Sequence, residues 1–216
     1  MKDAEIERLV APRHDEIISL LTRYIKEIEL FNPAYGLVGT NDSEELTVKH
    51  ILDSLAPMGI ISRLLKEVNV EGTPQIADAG SGAGLPGIPL AIVFQKCDFT
   101  LIERMGRRAG FLCGAKAVLN LSNITVEEGE LEKTTGCFAL VTFRALKTLE
   151  PKLLKTLLRA CAAGGVIAAY RGRREKTESE YQALKDICGK PEIIPYTVPF
   201  LDEERHLLII RQVKSL

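Results

Sequence analysis

Histidine, cysteine and long apolar runs are all scarce in this chain of 216 residues, and each scarcity removes a class of function. The three histidines (His14, His50, His206) do not cluster, so no metal site is expected. The five cysteines (Cys97, Cys113, Cys137, Cys161, Cys188) are odd in number and never spaced Cys-x-x-Cys. They are expected as small core residues in a reducing cytosol, neither disulfides nor ligands. No apolar run reaches bilayer length, and the opening Met1-Lys2-Asp3-Ala4-Glu5 is charged. The expectation is a cytoplasmic protein without export signal or membrane anchor. Repeats and low-complexity tracts are absent too, and a hydrophobic content of 46% suffices for one sizeable core plus an appended segment.

A net charge of −1 by itself argues against nucleic-acid binding, but the charges are unevenly spread. Residues 1–75 hold 8 Lys/Arg against 13 Asp/Glu, whereas residues 101–176 hold 14 against 7. Arg104, Arg107, Arg108, Arg171, Arg173 and Arg174 fall at or just past expected strand ends, the edge of an open α/β sheet where ligands bind. Such a basic rim suits a phosphate-rich substrate, although Lys152, Lys155 and Arg159 read as solvated helix face.

The first 70 residues read as helical. Ile6, Leu9, Val10, Ile17, Ile18, Leu21, Ile25 and Ile28 approximate helical spacing in one long helix, with Pro12 as a point of breakage and Asn32-Pro33 as its end. Further helices fit Ser43–Ser54, capped by Asp42 or Ser43, and Met58–Val68. From Gln75 onward strands (75–79, 98–102, 123–127, 138–142, 165–170) alternate with helices (86–95, 106–119, 149–160, 175–188). Alternation implies right-handed βαβ units and a mainly parallel sheet. Two final strands, Glu192–Val198 and His206–Val213, are joined by a link too short for a crossover, so the last strand is antiparallel. The expected fold is α/β, a Rossmann-like seven-stranded sheet in residues 71–216 behind a helical extension in residues 1–70.

The strand at 75–79 runs into Asp78-Ala79-Gly80-Ser81-Gly82-Ala83-Gly84-Leu85-Pro86-Gly87-Ile88-Pro89, and the next strand ends in Glu103. A backbone without Cβ atoms admits a cofactor against the main chain, and a carboxylate at the second strand tip can accept both ribose hydroxyls. Gly82-x-Gly84-x-x-Gly87 fits a dinucleotide fingerprint formally, but Pro86 and Pro89 have no N–H for a pyrophosphate. The other frame, Asp78-x-Gly80-x-Gly82-x-Gly84, is the pattern of S-adenosylmethionine-dependent methyltransferases. Asp78 would take that cofactor's ammonium and the loop N–H groups its carboxylate. A tight turn using glycine only for positive φ is the third reading.

Tyr35-x-Leu37, His50-Ile51-Leu52-Asp53-Ser54-Leu55, the loop from Asp78 to Leu90, Arg107-Arg108-x-x-Phe111-Leu112, Arg144-Ala145 and Arg205 run through most of the chain. In these pieces the chain resembles the bacterial small-subunit ribosomal RNA guanine-N7 methyltransferases, the glucose-inhibited division protein B family. The resemblance implies the class I S-adenosylmethionine-dependent fold, with cofactor contacts on Gly80, Leu85, Leu131, Glu132 and Arg144. The chain departs from the family's usual pattern at Gly36 (usually Asn), Glu130 (Arg), Ala139 (often Asp) and Arg171 (Lys).

The implied reaction is methyl transfer from S-adenosyl-L-methionine to N7 of one guanine in the decoding-region stem-loop of 16S ribosomal RNA. N7 carries an in-plane lone pair, so alignment and not proton removal is the task. Arg144 and Arg205 are the candidate catalytic residues, holding an RNA phosphate or the guanine O6 edge. Arg107, Arg108 and Arg171 are candidate rim contacts, and Asp78, Gly82, Gly84 and Glu103 complete the cofactor set. His50 and Asp53 either position this pocket or pack helices. The expected partner is 16S ribosomal RNA or the small subunit, not DNA or a membrane, met by a monomer. The alternatives are a methyltransferase of another substrate and a cofactor-binding module without turnover.

Overall fold

The computed structural model describes residues 4–68, 71–144, 148–182, 184–188 and 190–212. Ala145, part of the Arg144-Ala145 pair, and Val213, the expected end of the last strand, lie outside the described residues. The chain opens with α1 (Ala4–Val10), a 3-10 turn at Ala11–Arg13 around Pro12, and α2 (His14–Tyr35). Contrary to expectation, α2 continues through Pro33 and stops at Tyr35. Gly36 terminates it in the left-handed region (φ 59°) and donates its N–H to Asn32 O at 2.9 Å. Asparagine, the residue that the resemblance implies at this position, tolerates the same conformation.

A second helical run consists of α3 (Ser43–Leu46), a π turn at Thr47–Leu52 and α4 (Asp53–Leu55). Asp42 caps it, accepting the Glu45 N–H at 2.7 Å. Then come α5 (Met58–Val68), β1 (Gln75–Ala79), α6 (Gly87–Val93), β2 (Asp98–Glu103), α7 (Gly106–Leu119) and β3 (Ile124–Glu128). A 3-10 turn at Leu131–Lys133 leads to β4 (Phe138–Arg144), α8 (Pro151–Ala160) and β5 (Cys161–Arg171). The chain finishes with α9 (Arg174–Gln182), α10 (Lys185–Cys188), β6 (Glu192–Tyr196) and β7 (Arg205–Arg211).

The seven strands lie in the order β3-β2-β1-β4-β5-β7-β6. Pairings from β3 through β5 are parallel, and β7 runs antiparallel to both β5 and β6. The hairpin therefore inserts its last strand next to β5 and leaves β6 at the edge.

Side-chain alternation divides the sheet into two faces. Ile76, Phe99, Leu101, Leu140, Val166, Ala168, Leu207 and Ile209 join one core with α2, α5, α6 and α7. Ala77, Ile102, Val141, Phe143, Ile167, Ala169, Leu208 and Ile210 join the other with α8. The N-terminal helices thus share a core with the sheet. The same parity puts Asp78, Glu103, Arg144 and Arg205 on the first face and Arg171 on the second, before any contact is considered.

Candidate functional site

The glycine loop is held from three sides. Gly80 and Ser81 both donate their N–H to Ile102 O at 2.9 and 3.0 Å, tying the loop to β2. Gly80, Gly82 and Gly84 all have positive φ (68°, 59° and 91°), where a side chain would be strained. On α2, the buried Tyr24 hydroxyl donates to Ala83 O at 2.6 Å, so the N-terminal helix supports the loop from behind. Around Gly82 the loop is open: a Cβ there would find no heavy atom nearer than 3.9 Å.

Asp78 lies fully buried beneath the loop. Its Oδ2 accepts the Ser81 hydroxyl at 2.6 Å and the Gly87 N–H at 3.0 Å. Its Oδ1 is buried without a hydrogen-bond partner among the described residues. Burial pushes the carboxyl up to about 6, against the pull of the Ser81 and Gly87 bonds and of Arg144. Glu103 is also buried, its Oε2 accepting the Gly82 N–H at 2.9 Å and its Oε1 the Met105 N–H at 2.8 Å. This carboxylate shapes the loop as well as ending β2, and its remaining lone pairs are the ones left for ribose hydroxyls.

The start of α6 decides between the two nucleotide frames. Gly87 N–H is committed to Asp78, Ile88 N–H to Gly84 O at 2.7 Å and Leu90 N–H to Pro86 O at 3.1 Å, while Pro89 has none. Leu85 N–H goes to Ser81 O at 3.1 Å. No donor remains at this helix start for a pyrophosphate, which removes the dinucleotide frame. An orphaned buried carboxylate oxygen beneath an open glycine cradle fits a ligand that carries an ammonium, as S-adenosylmethionine does.

Past β3, Leu131 is half-buried and Glu132 exposed on the 3-10 turn, whose position is fixed by Arg159 Nη2 donating to Glu132 O at 2.8 Å. Glu130, where the resemblance implies arginine, pairs with Lys133 at 3.2 Å.

Beside β4 the sheet opens into a cleft of ≈ 700 Å³ whose wall includes Lys49, Asp53, Arg144, Arg171, Lys176 and Arg205. Arg144 Nη1 reaches Lys49 O, His50 O and Asp53 Oδ2 at 3.2, 3.4 and 3.2 Å, and its Nη2 donates to His50 Nδ1 at 2.9 Å. Burial and the facing guanidinium push His50 down to about 4, so it meets Arg144 as a neutral acceptor. The carbonyls of Lys49 and His50 belong to the π turn, a local widening that helices often carry at functional sites. Arg205 Nε lies 3.4 Å from Asp53 Oδ1 and its Nη2 3.0 Å from Glu203.

The other arginines separate by parity and depth. Arg107 is exposed at the start of α7, its guanidinium 5.8 Å from the Tyr35 ring centre. Arg108 is half-buried, bridging α7 to the end of α2 through Gly36 O at 2.9 Å, beside the Gly82 cradle. Arg171 is drawn inward from the rim: it stacks on Phe143 at 5.1 Å and pairs with Glu180 at 3.7 Å. Its Nε and Nη2 nonetheless lack hydrogen-bond partners among the described residues, and its pKa is lowered by burial. The structure thus joins Asp78, Gly80, Gly82, Gly84, Leu85 and Glu103 into one loop site, with Arg144 and Arg205 in the adjoining cleft. Arg107 lies apart from the cleft lining.

Sequence reading missed Tyr24, Tyr170 and Tyr196. Their hydroxyls reach Ala83 O, Ser54 O (2.7 Å) and Asp53 Oδ1 (3.1 Å), and a lone tyrosine in an apolar stretch carries no sign of such a partner.

Comparison with known proteins agrees with this geometry. A solved S-adenosylmethionine-dependent methyltransferase from Aquifex aeolicus shares the fold at TM-score 0.57 and 16% identity, covering 80% of this chain and 94% of that one. The tRNA (m1A58) methyltransferase of Aquifex aeolicus does so at TM-score 0.56 and 12% identity, covering 74% and 70%. Among curated proteins, ribosomal RNA small subunit methyltransferase G of Treponema denticola is 37% identical, covering 92% of this chain and 88% of that protein. The protein of the same name from Cellvibrio japonicus is 35% identical, covering 94% and 89%. The family model described as rRNA small subunit methyltransferase G matches residues 17–208. With an orphaned buried carboxylate oxygen under a glycine cradle, a helix start closed to pyrophosphate and relatives of this closeness, the chain belongs to the rRNA small subunit methyltransferase G family of S-adenosylmethionine-dependent methyltransferases.

Proposed function

We propose that this chain methylates N7 of a guanine in small-subunit ribosomal RNA, within the decoding-region stem-loop, acting on 16S RNA or on the small subunit. The observation that carries this reading is the pair of arginines, Arg144 and Arg205, held on one wall of a cleft at the end of β4, the strand paired with β1, from which the glycine loop springs. S-adenosylmethionine supplies the methyl group. Asp78 receives its ammonium, the open backbone at Gly82 lies against it, Glu103 takes ribose hydroxyls, and Leu131 and Glu132 border the adenine, with Gly80, Gly84 and Leu85 closing the pocket. Residues 71–216 carry this chemistry, and residues 1–70 form the helical extension.

Arg144 and Arg205 orient the guanine through O6 or its phosphate, and Arg107, Arg108 and Arg171 add cationic contacts to the RNA. His50, with its pKa near 4 and its Nδ1 engaged by Arg144, is not a base at neutral pH. N7 has no proton to lose, so a wall whose Asp53 carboxylate is already taken up by Arg144, Tyr196 and Arg205 suits it. N7 faces the narrow major groove of A-form RNA, so the guanine must leave its stack to reach Arg144.

The direct test is transfer from labelled S-adenosylmethionine to small subunits from a strain lacking the modification, with mass mapping of the product. One N7-methylguanine in the stem-loop is expected. Label on an exocyclic amine, a ribose or protein would overturn the assignment.

The buried carboxylate adds a pH dependence. Asp78 must be ionised to hold an ammonium, yet burial holds its pKa at about 6. Cofactor affinity is therefore expected to rise from pH 5 to pH 7, with uptake of the ligand releasing a proton. For the unliganded protein the sign is opposite. The raised pKa stabilises the fold below the unfolded value of 3.8, and that contribution is lost as pH rises through about 6. Titration calorimetry in buffers of different ionisation heat reads the proton directly, and a pH-independent affinity would remove Asp78 from the ammonium site.

A further inference from the structure

Four strand ends on one sheet face reach the same short stretch of the helical run. Tyr170 of β5 donates to Ser54 O at 2.7 Å. Arg144 of β4, Tyr196 of β6 and Arg205 of β7 all converge on the carboxylate of the neighbouring Asp53. Oδ2 takes Arg144 Nη1 at 3.2 Å, while Oδ1 takes the Tyr196 hydroxyl at 3.1 Å and Arg205 Nε at 3.4 Å. The Asp53 side chain is 6% exposed, whereas those of Arg144 and Arg205 keep 15% and 16%. Arg144 is held further by His50 and the Lys49 and His50 carbonyls, and Arg205 by Glu204 O at 2.9 Å and Glu203 at 3.0 Å, so both guanidiniums line the cleft in fixed orientations.

We propose that Asp53 is a positioning residue that holds Arg144 and Arg205 as one rigid cationic unit, so that RNA meets two guanidiniums already oriented. Two free guanidiniums in one cleft would repel each other and sample many rotamers. A shared, buried carboxylate between them offsets the repulsion and leaves each with little freedom to lose on binding. Packing the helical run against the sheet would need only one of these partners. Asp53 takes three, from strands that are not all neighbours in the sheet. The proposal rests on the reading of the cleft as the guanine and phosphate site.

Asp53→Asn keeps the shape and removes the charge. Its kcat/KM for small ribosomal subunits is expected to fall about 100-fold, the scale of a misplaced positioning group, with the dissociation constant for S-adenosylmethionine unchanged. Because both arginines act through this carboxylate, Arg144→Lys or Arg205→Lys added to Asp53→Asn is expected to cost much less than in the wild-type background. Losses that simply multiply, or an Asp53→Asn enzyme as fast as wild type, would overturn the proposal. The arginine side-chain N–H resonances give a readout independent of turnover: the Nη1–H of Arg144 and the Nε–H of Arg205, the groups that face Asp53, should be exchange-protected in wild type and lose protection in Asp53→Asn. If wild-type protein transfers no methyl group to small subunits, the functional reading fails while these resonances still judge the clamp. Should Asp53→Asn not fold, Tyr196→Phe removes one of the three contacts on Asp53 without changing charge. A several-fold loss in kcat/KM is then expected, and unchanged kinetics with unchanged resonances would sink the idea.

Discussion

Replacing Arg144 with alanine is expected to lower kcat/KM for methyl transfer to the small ribosomal subunit by about 10²–10³-fold, the cost of removing one preorganised donor. Arg144 is the point where the cofactor side and the RNA side of the site meet. It ends β4, next to β1 and its glycine loop, and lines the cleft where the cations gather. Its charge also helps to lower the pKa of Asp78. Its loss should therefore weaken cofactor binding as well, but only several-fold at neutral pH, because burial and the Ser81 and Gly87 bonds contribute more to Asp78. The expected signature is a large fall in kcat with a small change in cofactor affinity. Asp53 keeps Arg205 and Tyr196, so the fold should survive with a modestly lower Tm. Arg144→Lys restores charge without the planar fork that spans Asp53, His50 and the π-turn carbonyls, and should recover only part of the rate. An alanine variant that turns over normally, or one whose entire defect lies in cofactor binding, would move the guanine site away from β4.

The parts of the fold that sequence conveys well are those decided locally. Helix α7 and strand β1 occupy the expected residues 106–119 and 75–79, since apolar periodicity and flanking turns agree there. Disagreements arise where tertiary contacts outweigh local preference. Residues 161–164 fall between the expected helix 149–160 and the expected strand 165–170, yet β5 begins at Cys161 and passes through them. The register against β4 shifts there, from Phe138 opposite Cys161 to Leu140 opposite Val166, and Gly164 takes φ 79°. Glycine marks an irregularity within a strand and not its end. Pro33 lies inside the last turn of α2, where the buried Asn32 side chain accepts the Val38 N–H and donates to Thr40 O, fastening the following loop. The expected helix over 175–188 is two shorter ones, Arg174–Gln182 and Lys185–Cys188. The π turn within Ser43–Leu55 has no sequence signature at all.

The candidate site divides in the same way. Asp78, the glycines and Glu103 are legible because motif spacing fixes them relative to two strand ends. The arginines are legible as cations but not as partners. Arg171 and Arg144 both end strands, and only strand parity tells that one stacks on Phe143 with α9 nearby while the other faces the π turn. His50 and Asp53 belong to a recognisable segment, but their purpose depends on three strands that arrive up to 152 residues later in the chain. No local pattern encodes that convergence.

The largest effect on stability is expected at Gly87, from a single added methyl group. A Cβ there would lie 2.4 Å from Leu101 Cδ2 and 2.6 Å from Asp78 Oδ2, closer than any real carbon side chain sits. Leu101 is fully buried in β2 and has no room to withdraw. Asp78 can move only by giving up its bonds to Ser81 and to the Gly87 N–H, which connect β1, the loop and the start of α6. Overpacking of this kind costs about 1–3 kcal/mol, and a buried carboxylate losing a partner costs roughly as much again. Gly87→Ala is therefore expected to lower stability by about 3–5 kcal/mol, a Tm drop of roughly 6–20 °C for a chain of this length. Cofactor binding should fall with it, because the same displacement carries Asp78 and the Gly82 backbone out of place. Gly110 is the matched control. It is exposed on α7 with nothing within 4 Å of an added Cβ, so Gly110→Ala should leave cofactor affinity intact and raise stability by about 0.5–1 kcal/mol. Thermal melts with and without S-adenosylmethionine separate the two variants. If Gly87→Ala melts with wild type, the loop lies farther from β1 and β2 than these contacts require, and Asp78 loses its role as the staple beneath it.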